Sequence, residues 1–159
     1  MHHKEFEHFD VVLASGSPRR QELLQAMGIP HRVEVRTIEE NYPSELKGHE
    51  ITDFLAHKKA EAFDALQSNQ IVITSDTIVW FEGRPVEKPR DRNHALAMLE
   101  SLSGTMHEVF TSVCFKTRND AKIVHDCTKV WIEQQSSQEL EYYVDHFHPM
   151  DKAGSYGIQ

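Results

Sequence analysis

Hydroxyl side chains and two arginines stand together near the N-terminus, in the stretch Ser15-Gly16-Ser17-Pro18-Arg19-Arg20. An apolar run precedes this stretch and a helical pattern follows it, which predicts a strand-to-helix turn with Ser17 as N-cap and Pro18 at the first helical position. Free backbone N–H groups and guanidinium groups at a helix N-terminus favour binding of a phosphate. A capped helix with two solvated arginines would show the same residues, so both interpretations stay open.

Two acidic positions could supply a general base or a metal ligand. Asp76 interrupts an apolar stretch, and a buried carboxylate is costly unless something pairs with it, although it could instead satisfy turn N–H groups at a strand end. Glu40 follows Glu39 in a predicted loop, where a solvated acidic loop is the alternative. If that loop folds over the same strand edge, Glu40 and Asp76 form a carboxylate pair that can hold Mg²⁺ near phosphates.

Two neighbouring lysines, Lys58 and Lys59, lie on a helix predicted over Ile51–Leu66. At about 100° per residue, Lys58 falls near the middle of the predicted apolar stripe and Lys59 falls at its edge. Each lysine either extends its charged end to solvent or points into a polar cavity. Lys88 lies on a predicted loop and indicates nothing by itself.

The last nine residues, 151–159, contain two glycines and several small residues around a lysine. This composition fits either a close backbone approach to a ligand or an irregular loop. The Gln159 amide offers both a donor and an acceptor, as base recognition requires. The pairs His125-x-Cys127 and His146-x-His148 lack the further ligands of a zinc site, so we interpret them as surface or packing residues.

Alternating strand and helix patterns must position these residues. Strands are predicted over Phe9–Leu13, His31–Arg36, Ile71–Thr74 and Ile78–Phe81, and a hairpin joins His107–Lys116 to Ile123–Glu133. Asp91 and the Ser136–Glu139 capping box each predict the start of a helix. Early βα units followed by a hairpin predict an α/β fold with a mixed, strongly bent β-sheet flanked by helices.

Composition narrows the possible functions of the 159 residues. The formal net charge of −8 is a poor match for nucleic-acid binding, which needs a basic face. No apolar run approaches the roughly 20 residues of a membrane span, so no membrane partner is expected. Two cysteines without a secretory signal pattern predict a cytoplasmic location.

A series of motifs in one order resembles the Maf family of nucleoside triphosphate pyrophosphatases. The motifs are Ser15-Gly16-Ser17-Pro18-Arg19-Arg20, Glu39-Glu40, Leu55-Ala56-x-x-Lys59-Ala60, Ser75-Asp76-Thr77, Glu87-Lys88-Pro89, Ser103-Gly104-x-x-His107-x-Val109-x-Thr111 and Asp151-Lys152-Ala153-Gly154-Ser155-Tyr156-Gly157-Ile158-Gln159. The arginine pair, the Asp-Thr pair and the Tyr-Gly-Ile-Gln ending are similar to the branch that acts on dTTP and UTP. The branch that acts on 7-methyl-GTP differs at these points.

The resemblance implies cleavage between the α- and β-phosphates of a nucleoside triphosphate with a divalent cation, Mg²⁺ or Mn²⁺. It implies that Asp76 accepts a proton from water and, with Glu40, lies at the metal. It implies phosphate binding by Arg20, Lys59 and Lys88, and we assign Ser15 and Ser17 of the turn to the same role. The residues implied in substrate specificity are Arg19, Thr77 and Gln159. A non-catalytic, nucleotide-binding regulator of septum formation and cell division is the alternative function.

The resemblance also implies a Maf/ITPase-like fold with an active cleft between two lobes, and a homodimer as the family's expectation. Residues 1–159 are then expected to form a single Maf-like domain, with residues 1–8 as an N-terminal extension. Ser75 stands where family members usually have alanine, a small change. Family members continue beyond the position of Gln159 with a glycine-rich strand and a closing helix, so a C-terminal segment is expected to be absent here.

Overall fold

The computed structural model describes residues 6–157, which form an α/β fold, as predicted. Its strands and helices are, in chain order, β1 (Asp10–Leu13), α1 (Pro18–Ala26), β2 (Arg32–Val33), α2 (His49–Glu61), β3 (Gln70–Phe81), β4 (Arg84–Val86), α3 (Arg92–Leu102), β5 (Met106–Lys116), β6 (Ala121–Trp131) and α4 (Ser137–Phe147). Two short 3₁₀ helices, Pro149–Asp151 and Ala153–Ser155, follow. Within the described residues, none of the helices has the length and apolar character that a bilayer span needs.

The strands form a mixed six-stranded sheet in the order β2-β1-β3-β5-β6, with β4 paired to β3. β1 is parallel to both β2 and β3, whereas β4 is antiparallel to β3. β5 and β6 are joined by only four residues, a connection that an antiparallel pair allows and a parallel pair does not. The predicted mixed sheet is therefore confirmed.

Two strands differ from the sequence prediction. β3 is one continuous strand across Ser75-Asp76-Thr77, where a strand end was expected. β2 contains only Arg32 and Val33, which pair with Val12 and Leu13 of β1. The backbone N–H of Glu34 still donates a 3.1 Å hydrogen bond to the backbone oxygen of Leu13, the last residue of β1. The polar residues of β3 thus lie inside a strand and are not part of a turn.

The chain divides into two compact units, and the boundary between them falls within β3, β5 and β6. The first unit comprises Met1–Asp76 and Thr111–His125.

In the first unit, side chains of β1 and β3 alternate between two apolar clusters, as strand geometry requires. Val11 and Ile73 pack with Ile29 on one face of the sheet. Val12 and Val72 pack with Phe63 on the other face.

The second unit comprises Thr77–Phe110 and Asp126–Gln159. Its core is a contact between α3 and α4 that buries Ala95, Leu99, Leu140 and Val144. The two helix caps that the sequence predicts in this unit, at Asp91 and Ser136, are confirmed. The Asp91 side chain accepts a hydrogen bond from the backbone N–H of His94, and Ser136 and Glu139 form a reciprocal capping box.

Candidate active site

The turn between β1 and α1 brings hydroxyl and guanidinium groups to the end of the sheet. Ser15 is buried, and its Oγ lies 3.3 Å from the backbone N–H of Ser17 and 3.3 Å from Nη1 of Arg20, both of which donate to it. Ser17 occupies the predicted N-cap position ahead of Pro18, but its side chain makes no capping hydrogen bond. The hydroxyl that organises this turn is therefore that of Ser15, two residues earlier.

Arg20 connects the turn to β3. Its Nη1 donates a 2.8 Å hydrogen bond to the backbone oxygen of Ser75. Burial lowers the pKa of Arg20, and the nearby carboxylates of Asp76 and Glu40 oppose that shift. The guanidinium nevertheless stays charged, since arginine keeps its proton throughout the physiological range. Arg19, in contrast, is exposed at the first turn of α1.

Asp76 is the buried carboxylate of this site. Only 9% of its side chain is exposed, and its Oδ1 accepts a 2.7 Å hydrogen bond from Nζ of Lys59. The same Nζ lies 3.0 Å from Oε1 of Glu40, whose side chain is 60% exposed. Burial raises the pKa of Asp76, although the charge and hydrogen bond of Lys59 act in the opposite direction. The structure therefore brings both predicted carboxylates onto one ammonium group.

The alternation of β3 explains why Asp76 faces α2. Two residues before it, Thr74 is fully buried and donates a 2.6 Å hydrogen bond to the backbone oxygen of Ala56 on α2. Residues two apart in a strand point to the same side, so Asp76 also points towards α2. In the parallel register Ile73 pairs with Leu13, the last residue of β1, so Asp76 lies just beyond the carboxyl end of β1.

Lys59, and not Lys58, contacts the carboxylates, so the helical wheel, which placed Lys58 nearer the middle of the buried face, was wrong. The phosphate-binding role that the motif implies for Lys59 stays a prediction. The wheel counted Phe54 as part of the apolar stripe, but Phe54 is exposed. The buried face of α2 comprises Ile51, Thr52, Leu55, Ala56 and Ala60. Lys59 falls near the centre of this face, whereas Lys58 falls on its flank and donates to the backbone and side-chain oxygens of Asn41.

The structure does not test the roles predicted for Thr77, Lys88 and Gln159. Thr77 and Lys88 are exposed residues of the second unit, on β3 and on the segment after β4. Gln159 lies outside the described residues. Their assignments therefore stay predictions. In the second unit, the buried His107 of the predicted motif lies with its Nε2 2.5 Å from the hydroxyl of Tyr156.

A second group of side chains was missed by sequence reasoning. His49, Asp53 and His125 bring ligand atoms within 4.8 Å of one another in the first unit, and such a group could hold a metal ion. His49 and Asp53 lie four residues apart on α2, a spacing that places them on one helix face and is visible in the sequence. The third residue, His125, lies on β6 and comes close to His49 and Asp53 only through the tertiary structure.

Comparison with known proteins gives consistent results. A family model described as "Maf-like protein" matches residues 10–159. A protein of Flavobacterium psychrophilum named dTTP/UTP pyrophosphatase is 48% identical over 98% of this chain and 80% of its own length. A relative with the same name from Bacteroides fragilis is 44% identical over 96% of this chain and 80% of its own length.

A solved structure supports the fold alone. A HAM1 protein from Coxiella burnetii aligns with a TM-score of 0.52 over 80% of this chain and 74% of its own, at 18% sequence identity. At 18% identity the two proteins share the arrangement of strands and helices. The comparison does not bear on the residues of the candidate site.

The contact between Lys59 and Asp76 can be tested by titration. Replacing Lys59 with Gln removes the positive charge that lowers the pKa of Asp76, so this pKa should rise further and the carboxyl should titrate at higher pH. Carbon-detected NMR of the Asp76 carboxyl measures the midpoint directly. Lys58→Gln is the matched control, because Lys58 contacts Asn41 and should leave the midpoint unchanged. An unmoved or lowered midpoint in Lys59→Gln would contradict this electrostatic account.

Proposed function

Because this chain belongs to the Maf family, we propose that it hydrolyses dTTP and UTP to the nucleoside monophosphate and pyrophosphate. The observation that carries the proposal is the buried carboxylate of Asp76, held by Lys59 beside the arginine-bearing turn of α1. Relatives named dTTP/UTP pyrophosphatase are 39% identical or more over nearly the whole chain. A nucleotide-binding regulator without catalysis would need no buried base, so this feature favours the enzyme.

Asp76 acts as the general base in this proposal. It accepts a proton from water while the water oxygen forms a bond to phosphorus, and the phosphoanhydride bond between the α- and β-phosphates breaks. Burial raises the pKa of Asp76, which makes its ionised form a stronger proton acceptor than a solvated aspartate. Pyrophosphate leaves with the bridging oxygen. The Lys59 ammonium, 2.7 Å from Asp76, keeps the carboxylate oriented.

In this proposal, positive charge for the phosphates comes from α1, from α2 and from the segment after β4. We place Arg20, Lys59 and Lys88 on phosphate oxygens, where cations stabilise the negative charge that develops in phosphoryl transfer. Ser15 and Ser17 supply hydroxyl and backbone N–H groups at the N-terminus of α1, where the helix dipole favours an anion. Arg19 and Thr77 are exposed and, with Gln159, are proposed to set substrate preference.

A divalent cation, Mg²⁺ or Mn²⁺, is the proposed cofactor, and Glu40 and Asp76 are the residues that would hold it. They fit such an ion, since carboxylate oxygens are the ligands that these hard cations prefer and both carboxylates already converge on one cationic group, Lys59. When bound, the ion supplies charge neutralisation to the phosphates.

We also propose that residues 1–159 belong to one Maf-like domain, which the match of a single family model to residues 10–159 supports. A cytoplasmic location is proposed because Cys114 and Cys127 are both free thiols. The homodimer stays an expectation from the family.

Asp76→Asn tests the general base. The substitution keeps the shape of the side chain and removes its ability to accept a proton, so kcat for dTTP should fall about 100-fold or more while circular dichroism stays native. Pyrophosphate release measures the rate. Asp64→Asn makes the same chemical change at an aspartate whose side chain is 87% exposed, and it should leave the rate unchanged. Near-normal turnover in Asp76→Asn would remove Asp76 from the mechanism.

Removing the metal ion with a chelator tests whether the proposed divalent cation is required for hydrolysis. Excess EDTA should abolish pyrophosphate release, and added Mg²⁺ or Mn²⁺ should restore it, because the oxygen ligands of Glu40 and Asp76 favour these hard cations. Glu40→Gln should raise the Mg²⁺ concentration needed for half-maximal rate by about tenfold or more, since it removes one anionic ligand. Full activity in excess EDTA would show that no dissociable metal takes part.

A nucleotide panel tests the substrate. We expect kcat/KM to be higher for dTTP and UTP than for dATP, dGTP and 7-methyl-GTP, because a glutamine amide can pair with the O4 and N3–H groups of thymine or uracil. Gln159→Ala should reduce this preference more than it lowers the rate with the best substrate. A purine preference in the wild type, or an equal loss on every nucleotide in Gln159→Ala, would disprove the specificity assignment and leave the pyrophosphatase assignment standing.

A further inference from the structure

A compact group of imidazole and carboxylate side chains lies at the N-terminal end of α2. Nδ1 of His125 is 3.2 Å from Oδ1 and 3.1 Å from Oδ2 of Asp53. The rings of His49 and His125 have centroids 4.3 Å apart and are inclined by 33°. Ligand atoms of all three residues lie within 4.8 Å of one another, so this group could hold one metal ion.

The carboxylate of this group is held in place by a buried anchor. The hydroxyl of Ser112 on β5 donates a 2.6 Å hydrogen bond to Oδ1 of Asp53. That hydroxyl also lies 2.6 Å from the hydroxyl of Thr52, and both residues have no exposed surface. Hydrogen bonds of this kind orient a ligating carboxylate and limit the rearrangement that metal binding requires.

We propose that His49, Asp53 and His125 form a Zn²⁺ site, separate from the cation proposed at Glu40 and Asp76. Two imidazole nitrogens and one carboxylate oxygen are ligands that Zn²⁺ favours and Mg²⁺ does not. His49 and His125 are exposed, which leaves room for water to complete the coordination. Imidazole binds a metal ion through a neutral ring nitrogen, so both histidines would be neutral in the metal-bound state.

The position of the proposed site indicates that bound Zn²⁺ would stabilise the folded chain. Zn²⁺ would join the first turn of α2 to β6 through His125, while Ser112 holds Asp53 to β5. Lys59 lies six residues beyond Asp53, about 9 Å along the helix axis. Zn²⁺ should therefore raise the melting temperature without being required for hydrolysis, because a ligand that binds only the folded chain stabilises it.

Isothermal titration with Zn²⁺ in excess Mg²⁺ tests the proposal. Because His2, His3 and His8 could also bind metal, all proteins carry alanine at these positions. We expect a single Zn²⁺ per chain, and Asp53→Asn and His125→Ala should each weaken its binding about tenfold or more. The control is His57→Ala, which removes a half-buried histidine of α2 whose Nδ1 lies 3.8 Å from Oε1 of Glu61, and it should leave the affinity unchanged.

Thermal unfolding with and without Zn²⁺ provides the second measurement. The ion should raise the melting temperature of the parent protein and of His57→Ala, and it should raise that of His125→Ala much less. Unchanged Zn²⁺ affinity in both Asp53→Asn and His125→Ala would overturn the proposal. Displacement of Zn²⁺ by Mg²⁺, or an equal rise in melting temperature in His125→Ala, would overturn it as well. None of these results depends on pyrophosphatase activity, so they are independent of the proposed reaction.

Discussion

The ion pair between Lys59 and Asp76 is the interaction on which the candidate active site depends. A buried carboxylate without a partner would take up a proton, because burial disfavours its charged form. Lys59 at 2.7 Å supplies the opposing charge, and Arg20 adds to it. Removing one member of a buried pair leaves an uncompensated charge, which costs several kcal/mol. The site therefore exists only while α1, α2 and β3 hold these three side chains together.

Backbone geometry determines where this pair can form. β1 and β3 run parallel in a register that ends at Leu13 and Ile73, and the chain then leaves the sheet towards α1. Residues of β3 beyond Ile73 consequently lie next to the turn, and Arg20 donates to the backbone oxygen of Ser75 there. Ligand sites of α/β proteins form at this kind of position, beyond the carboxyl ends of strands.

Sequence reasoning predicted the features that depend on local chemistry. The caps at Asp91 and Ser136 are confirmed, because a side chain that bonds to a backbone N–H three residues ahead needs no distant partner. The hydroxyl of Ser17, in contrast, makes no capping hydrogen bond. The backbone N–H of Ser17 donates to Ser15, whose hydroxyl also accepts from Arg20 on the way to β3. A pattern of N-cap residues does not predict that the hydroxyl of Ser15, two residues earlier, accepts these hydrogen bonds.

Two predictions on α2 were wrong or incomplete because they depend on packing between elements that are distant in sequence. An apolar stripe drawn through Phe54 misplaced the buried face, because the face that packs on the sheet consists largely of small residues such as Ala56 and Ala60. Small residues contribute little to a hydrophobic pattern although they allow the closest approach of a helix to a sheet. The grouping of His49 and Asp53 with His125 was out of reach for a related reason, since the partner strand follows 72 residues after Asp53.

The raised pKa of Asp76 links function to stability. A carboxyl whose pKa is higher in the folded chain than in the unfolded chain binds its proton more tightly when folded. The stability that this protonation contributes is fully present below the ordinary pKa of aspartate and is lost as the pH rises through the raised value. A general base must be ionised to act, so the proposed reaction uses the state in which this group stabilises the fold least. Any ligand that adds positive charge beside the ionised Asp76 opposes this loss, which couples cation binding at the site to the stability of the first unit.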